Sequence, residues 1–228
     1  RGLGDVYKRQ MGRRMSGILG FDVGLGKTFT ALAVAQHIQS IGVKKKTMFV
    51  LPNTVLSNWK REAMRAYDEA TMAQCLFVGM TQDRSGEDTV NPALYAADFT
   101  RILEGKHSKI FCTMEAFGQI PLKDATIDAY EWHMTTVDSA FSAGDKKKDR
   151  ERAEGRLADL TTASSTKSNA IPFFEDMGID SLISDEAHGY KNSKNTMDFS
   201  GGRFLSIGEA SARGLDMQMK SWYVRGLS

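Results

Sequence analysis

The chain has 228 residues, 41% of them hydrophobic and 25% charged, with a formal net charge of +2. A chain of this length buries roughly three quarters of its unfolded surface in one large domain or two small ones, so it needs no disulfide or metal staple. The balanced composition excludes a disordered or collagenous chain, and the small net charge leaves the question of a polyanionic partner to local patches.

No apolar run approaches the roughly 18 residues that a membrane-spanning helix requires, and no signal peptide precedes the fold, so a cytoplasmic location without a membrane partner is expected. The opening stretch RGLGDVYKRQ has no helix cap, no hydrophobic periodicity and no initiating Met. It resembles a translated adapter read-through, so residues 1–10 are expected to be a non-native leader and 11–228 the native lobe.

From Ser16 the pattern reads strand, loop, helix. SGILGF predicts a short strand, DVGLGKT is glycine punctuation, and FTALAVAQHIQSI lines one helical face with Ala31, Val34, Ala35 and Ile38. TMFVL predicts a buried strand, PNT a turn, and VLSNWKREAMRAY an amphipathic helix whose face holds Leu56, Trp59 and Ala63, which makes Trp59 a core residue. Further strands are predicted at QCLFVG (74–79), KIFCT (109–113) and DSLIS (180–184). Alternating strands and helices imply a parallel sheet with covered faces. Cys75 and Cys112 lie in two of these strands with no metal-type spacing, and are expected to be buried free thiols.

Residues from about 124 to 168 are polar and helical, ending in the flexible TTASSTKS, and read as an inserted helical hairpin. Within it Lys146, Lys147, Lys148, Arg150 and Arg152 alternate with Asp145, Asp149, Glu151 and Glu154, the pattern of a solvated helix face. The closing SIGEASARGLDMQMKSWYVRG predicts one more helix, carrying the basic residues Arg213, Lys220 and Arg225.

Two stretches carry chemistry. A polyphosphate needs converging backbone N–H groups, a cation near its β and γ groups, and a hydroxyl to help hold magnesium. In FDVGLGKT, Gly24, Leu25 and Gly26 supply the wrapping backbone, Lys27 the cation and Thr28 the hydroxyl. Phe21 stands where the strict G-x-x-x-x-G-K-[ST] pattern has glycine. LISDEAH supplies the other half: Asp185 is the metal-side carboxylate and Glu186 the base for the attacking water, at the carboxyl end of an apolar strand. Lys27, Asp185 and Glu186 are thus the catalytic candidates, with Thr28 and Asp185 facing magnesium. His188 has no second His or Cys at ligand spacing, which argues against zinc, and reads as a link from the nucleotide site to a later motif.

In order, FDVGLGKT, MFVLPNTVLSNWKREA, FCTMEAFGQI and LISDEAHGYKN resemble helicase motifs I, Ia, Ib and II. The pairs Asn58-Trp59 and Lys191-Asn192 narrow the resemblance to the Swi/Snf-type branch of helicase superfamily two, especially the long helicase-like proteins of phages and plasmids. It covers Ser16 to Arg225. It implies an α/β, RecA-like P-loop NTPase lobe: a mostly parallel sheet with helices on both faces, plus the helical insertion. It also implies ATP and Mg²⁺ as cofactors and nucleic acid, duplex DNA foremost, as partner. Pro52, Asn53, Thr54 and Thr113 would lie near the nucleic-acid backbone, where short polar side chains suit contacts that read no sequence. Thr54 as a plain helix N-cap stays open beside that role. A second RecA-like lobe with its arginine finger is expected as the missing partner, and with it faster hydrolysis than this chain achieves alone. A P-loop ATPase of another class and an inactive, truncated binding module are the competing readings.

Overall fold

The computed structural model describes residues 17–20, 24–141, 170–190 and 212–227. In chain order its elements are α1 (Lys27–Ser40), β1 (Thr47–Leu51), α2 (Leu56–Ala66), α3 (Glu69–Met72), β2 (Cys75–Phe77), β3 (Met80–Gln82), β4 (Asp88–Val90), α4 (Tyr95–Ile102), β5 (Lys109–Thr113), α5 (Met114–Gln119), α6 (Asp124–Phe141), β6 (Ser181–Ser184) and α7 (Ala212–Gly226).

Four strands form a sheet in the order β2-β5-β1-β6, and every pairing in it is parallel. Parallel strands must be joined by crossovers, which place helices over the faces and leave the central strands dry on both sides. All five residues of β1 and all five of β5 are buried accordingly. Strand alternation sorts their side chains. Met48, Val50, Ile110, Cys112 and Leu76 enter one core with α4, α5, α6 and α7. Phe49, Leu51 and Phe111 enter the other, with Ala31, Leu32 and Ala35 of α1 and Leu56, Trp59 and Ala63 of α2. On that second face Phe77, Phe111 and Phe49 stack strand to strand, with centroids 4.5 and 4.3 Å apart. The α/β fold with helices on both faces is what the chain adopts.

Several expectations are corrected. Residues 17–20 form no strand: two of the four are glycines and Ile18 is solvent-exposed, leaving Leu19 alone to pack against the core. A two-stranded antiparallel ribbon, β3 with β4, was not foreseen. The start of the polar 124–168 stretch is the helix α6, and it packs inward: Ile127 and Tyr130 are core residues and Tyr130 packs edge-on against Trp222 of α7. Lys220, one of the basic residues of α7, lies in the interior. It is fully buried, donating to Asp216 Oδ2 at 2.7 Å and the Phe117 carbonyl at 2.9 Å, with its Nζ 4.3 Å from the Phe117 ring. Both cysteines are free thiols, Cys112 buried and Cys75 half-buried, and burial pushes them up to about 12 and about 11 respectively. The leader 1–10, Phe21, the lysine-arginine run 146–152, TTASSTKS and the Lys191-Asn192 pair lie outside the described residues.

Candidate nucleotide site

The direction of α1 decides where its first residues lie. Its last turn is pinned at the amino ends of the strands: Gln39 Nε2 donates to the Ser108 carbonyl at 2.9 Å, and Gln39 Oε1 accepts from Lys109 Nζ at 2.6 Å, both beside the start of β5. Asp180, just before β6, accepts from the backbone N–H groups of Lys45 and Lys46, at the same edge. The 14 residues of α1 span about 21 Å, more than the roughly 16 Å of a five-residue strand. With Ala31, Leu32 and Ala35 packed on the sheet, α1 therefore begins at the carboxyl edge.

At that beginning the chain turns through two left-handed glycines, Gly24 with φ 83° and Gly26 with φ 77°. A Cβ at either position would meet nothing within 4 Å, so backbone conformation rather than space requires glycine. Gly26 caps α1 without a side chain, and no acidic residue sits in the first turn. The positive end of the helix thus carries no carboxylate of its own and is suited to an outside anion. Lys27 and Thr28 occupy its first two positions, both half-buried. Leu25 is exposed, so its part in the loop is its backbone.

The carboxylates arrive at the same edge. β6 ends at Ser184, and the Asp185 N–H donates to the Val50 carbonyl at 3.0 Å, continuing the sheet for one more residue. Ile183 belongs to the core on the α1 side, and Asp185, two residues on, follows it. The side chain confirms that face: Asp185 Oδ2 accepts from the indole Nε1–H of Trp59 on α2 at 3.2 Å, while Oδ1 accepts from the Glu186 N–H at 3.0 Å. Glu186 holds a left-handed backbone, φ 49°, which among the described residues no other non-glycine adopts. Its Oε2 lies 3.0 Å from His188 Nδ1, and both side chains are largely exposed. The start of α1, with Lys27 and Thr28, and the end of β6, with Asp185 and Glu186, thus lie at one edge of the sheet, α1 and the Asp185 side chain on the same face.

The remaining candidates divide. Pro52, Asn53 and Thr54 follow the carboxyl end of β1, Asn53 and Thr54 exposed. Thr54 is not the helix cap, since α2 is entered through Val55 with no side-chain capping bond. Thr113 is different. It is fully buried at the end of β5, its Oγ1 accepting from the Ala116 N–H at 3.0 Å as the cap of α5 and lying 3.4 Å from the Tyr95 hydroxyl. A hydroxyl committed in this way does not reach a nucleic-acid backbone.

Trp59 is the residue that pattern reading assessed only in half. Its ring is core, as spacing implied, 3% exposed and tilted against Phe49 and Phe111. A buried indole N–H must find an acceptor, which the sequence does signal, but the acceptor lies 126 residues away.

A magnesium ion fits the donors present. Among the described residues no group of three or more His, Cys, Asp or Glu could hold a metal by itself. Magnesium keeps several waters and is commonly held by one or two protein oxygens together with substrate phosphates, which Asp185 and Thr28 beside a phosphate loop would supply.

The SNF2-related domain matches residues 1–200, a span that includes the opening stretch. The chain is 30% identical over 257 aligned residues to the Defense against restriction protein B of Escherichia phage P1, covering 96% of this chain and 11% of that protein. Over shorter stretches it is 41% identical to a SWI/SNF-related, matrix-associated, actin-dependent regulator of chromatin (subfamily A, containing DEAD/H box 1A) of Danio rerio, and 40% identical to the DNA excision repair protein CSB of Oryza sativa subsp. japonica. These cover 22% and 24% of this chain and 5% of each relative. The chain therefore spans a small fraction of the length of these relatives. No solved structure matches significantly.

Proposed function

Since the chain belongs to the SNF2-related domain family, a family of helicase-like, DNA-dependent ATPases, we propose that it is an ATP-binding lobe whose hydrolysis of ATP is coupled to movement on DNA. What supports this most is that α1 starts, and β6 ends, at one edge and on one face of the sheet. Open α/β sheets bind their ligands there. The names of two relatives, a chromatin regulator and a DNA repair protein, agree with a DNA partner.

In this reading the backbone of Gly24, Leu25 and Gly26 wraps the phosphates and Lys27 offsets their charge. Thr28 and Asp185 would hold Mg²⁺, which would neutralise phosphate charge. Glu186 orients the attacking water and takes its proton on the carboxylate. His188, against Glu186, is the residue through which that carboxylate senses a neighbouring motif. Pro52, Asn53 and Thr54, at the same edge, contact the nucleic-acid backbone without reading sequence. A second lobe closes the cleft and brings the arginine finger.

The test combines binding and turnover. Mg·ATP binding to the chain should be strongly weakened by Lys27→Ala. In a protein carrying this lobe with its partner lobe, duplex DNA should stimulate ATPase activity, and Glu186→Gln should lower turnover by roughly 10² or more, the contribution of a general base. Turnover unchanged by either substitution would refute the site, and turnover indifferent to DNA would favour a P-loop ATPase with no nucleic-acid track.

A further inference from the structure

Trp59 sits outside the motif residues just assigned, yet it is the side chain that reaches from the core to the carboxylate at the strand end. Its ring is wedged over the Phe77-Phe111-Phe49 stack, with centroids 5.6 Å from Phe49 and 6.4 Å from Phe111. Its single polar atom, Nε1, meets Asp185 Oδ2 at 3.2 Å. The other oxygen, Oδ1, is taken by the N–H of the next residue at 3.0 Å. One oxygen is therefore held by a neighbouring backbone amide that any sequence would supply, and the other by a side chain packed on Phe49 and Phe111 of two strands. A half-buried carboxylate pinned at both oxygens keeps one rotamer, which is the condition for presenting a lone pair to an ion or its water at constant geometry.

We propose that Trp59 is a positioning residue for the magnesium-side carboxylate: it fixes the rotamer of Asp185 through the indole N–H and tethers the end of β6 to α2. The inference rests on the nucleotide-site reading above. It predicts that removing the N–H while keeping an aromatic ring affects the metal and not the fold or the phosphate loop. Trp59→Phe keeps an aromatic ring over Phe49 and Phe111 and abolishes the hydrogen bond.

The experiment uses the chain with Mn²⁺ and ATPγS as probes. Bound Mn²⁺ is read by electron paramagnetic resonance, nucleotide binding without metal by calorimetry, and the indole N–H resonances by ¹⁵N NMR, the Trp59 signal being identified by its loss in Trp59→Phe. In Trp59→Phe, half-saturation by Mn²⁺ in the presence of ATPγS should rise about tenfold, the usual effect of removing the partner that orients a ligand. Metal-free nucleotide affinity should not change. In an Asp185→Asn background the same substitution should add nothing. In the wild type, the Trp59 N–H resonance should move when Mg²⁺, the diamagnetic counterpart of Mn²⁺, is added with ATPγS, and should not respond in Asp185→Asn.

Unchanged half-saturation in Trp59→Phe, or an indole resonance indifferent to Mg²⁺ and ATPγS, overturns the proposal while the site stands. If Asp185→Asn itself leaves metal dependence unaltered, the site reading fails and this inference with it. Should Trp59→Phe not fold, the Trp59 resonance is identified by elimination, as the indole signal that neither Trp132→Phe nor Trp222→Phe removes, and the NMR comparison of wild type with Asp185→Asn still decides.

Discussion

Glu186 is the one described non-glycine residue held in the left-handed region, at φ 49°, and it is also the candidate base. A left-handed conformation costs an ordinary L-residue roughly 1–2 kcal/mol, and such strain persists where surrounding structure enforces it. Here the enforcement is visible: the Glu186 N–H is tied to Asp185 Oδ1 and its carbonyl accepts from the Gly189 N–H at 2.9 Å. Asparagine tolerates this conformation better than glutamate. Glu186→Asn should therefore raise stability, by about 0.5–1 kcal/mol, because the exposed contact to His188 that it removes is worth little. In a protein that carries this lobe with a partner lobe, the same change should lower turnover by roughly 10² or more. Thermal or denaturant unfolding checks the first half, and a clear loss of stability would mean the backbone at Glu186 is not strained. Gly24 and Gly26 of the candidate phosphate loop carry the opposite logic, since there the left-handed backbone is met by residues that accept it freely.

At the scale of elements, what was legible in the sequence is what is local. β1 and β5 fell where apolar runs predicted them, and α1 and α2 where residues recur at helical spacing, because both signals sit within a dozen residues. The loop and the DEAH stretch were legible for the same reason: each is one turn at the end of one element. What escaped notice depends on distance or on brevity. β3 and β4 are three residues each, too short for alternation to stand out, and partly polar. Thr113 matched a motif position but faces inward, since the last residue of a buried strand is itself buried. In the sequence Lys220 is only a basic residue of a helix, and the packing of α7 against α5 reveals it as interior. That interior cation makes a prediction for α7. Removing one partner of a buried ion pair costs about 3–5 kcal/mol, whereas replacing both by apolar groups is often close to neutral. Asp216→Ala, which leaves the Lys220 ammonium without its carboxylate, should cost about 3 kcal/mol in denaturant unfolding. The double change Asp216→Leu with Lys220→Met should cost less than the single one. If the double variant is the less stable, the pair is holding α7 in place rather than burdening it.

For the whole molecule, the two edges of the sheet have different work. The amino edge is bound up within the lobe: Gln39 with Ser108 and Lys109, Asp180 with Lys45 and Lys46, and Lys46 Nζ with the carbonyls of Ile102 and Met177, the last at 2.8 Å. The carboxyl edge ends in glycines, a 52–54 turn with Asn53 and Thr54 exposed, and carboxylates. A nucleotide that binds at one edge of such a sheet should stabilise the lobe in two distinct ways. Globally, a ligand at a hundred times its dissociation constant adds about 2.7 kcal/mol to the folded state, and this should appear as a higher melting temperature with Mg·ATPγS. Locally, amides that open without global unfolding gain protection only where the ligand closes over them. Hydrogen exchange should therefore slow at 24–30 and 184–187, while the frayed ends of α2 and α4 and the β3-β4 ribbon exchange as before. Lys27→Ala should erase both effects together, since it acts on binding. Trp59→Phe should keep the response at 24–30 and weaken it at 184–187, because the phosphate loop does not depend on the indole N–H but the end of β6 does. Protection spread evenly over the lobe, or concentrated at the amino edge around 45–47 and 107–109, would place the ligand elsewhere and dissolve the shared edge on which the nucleotide site is built.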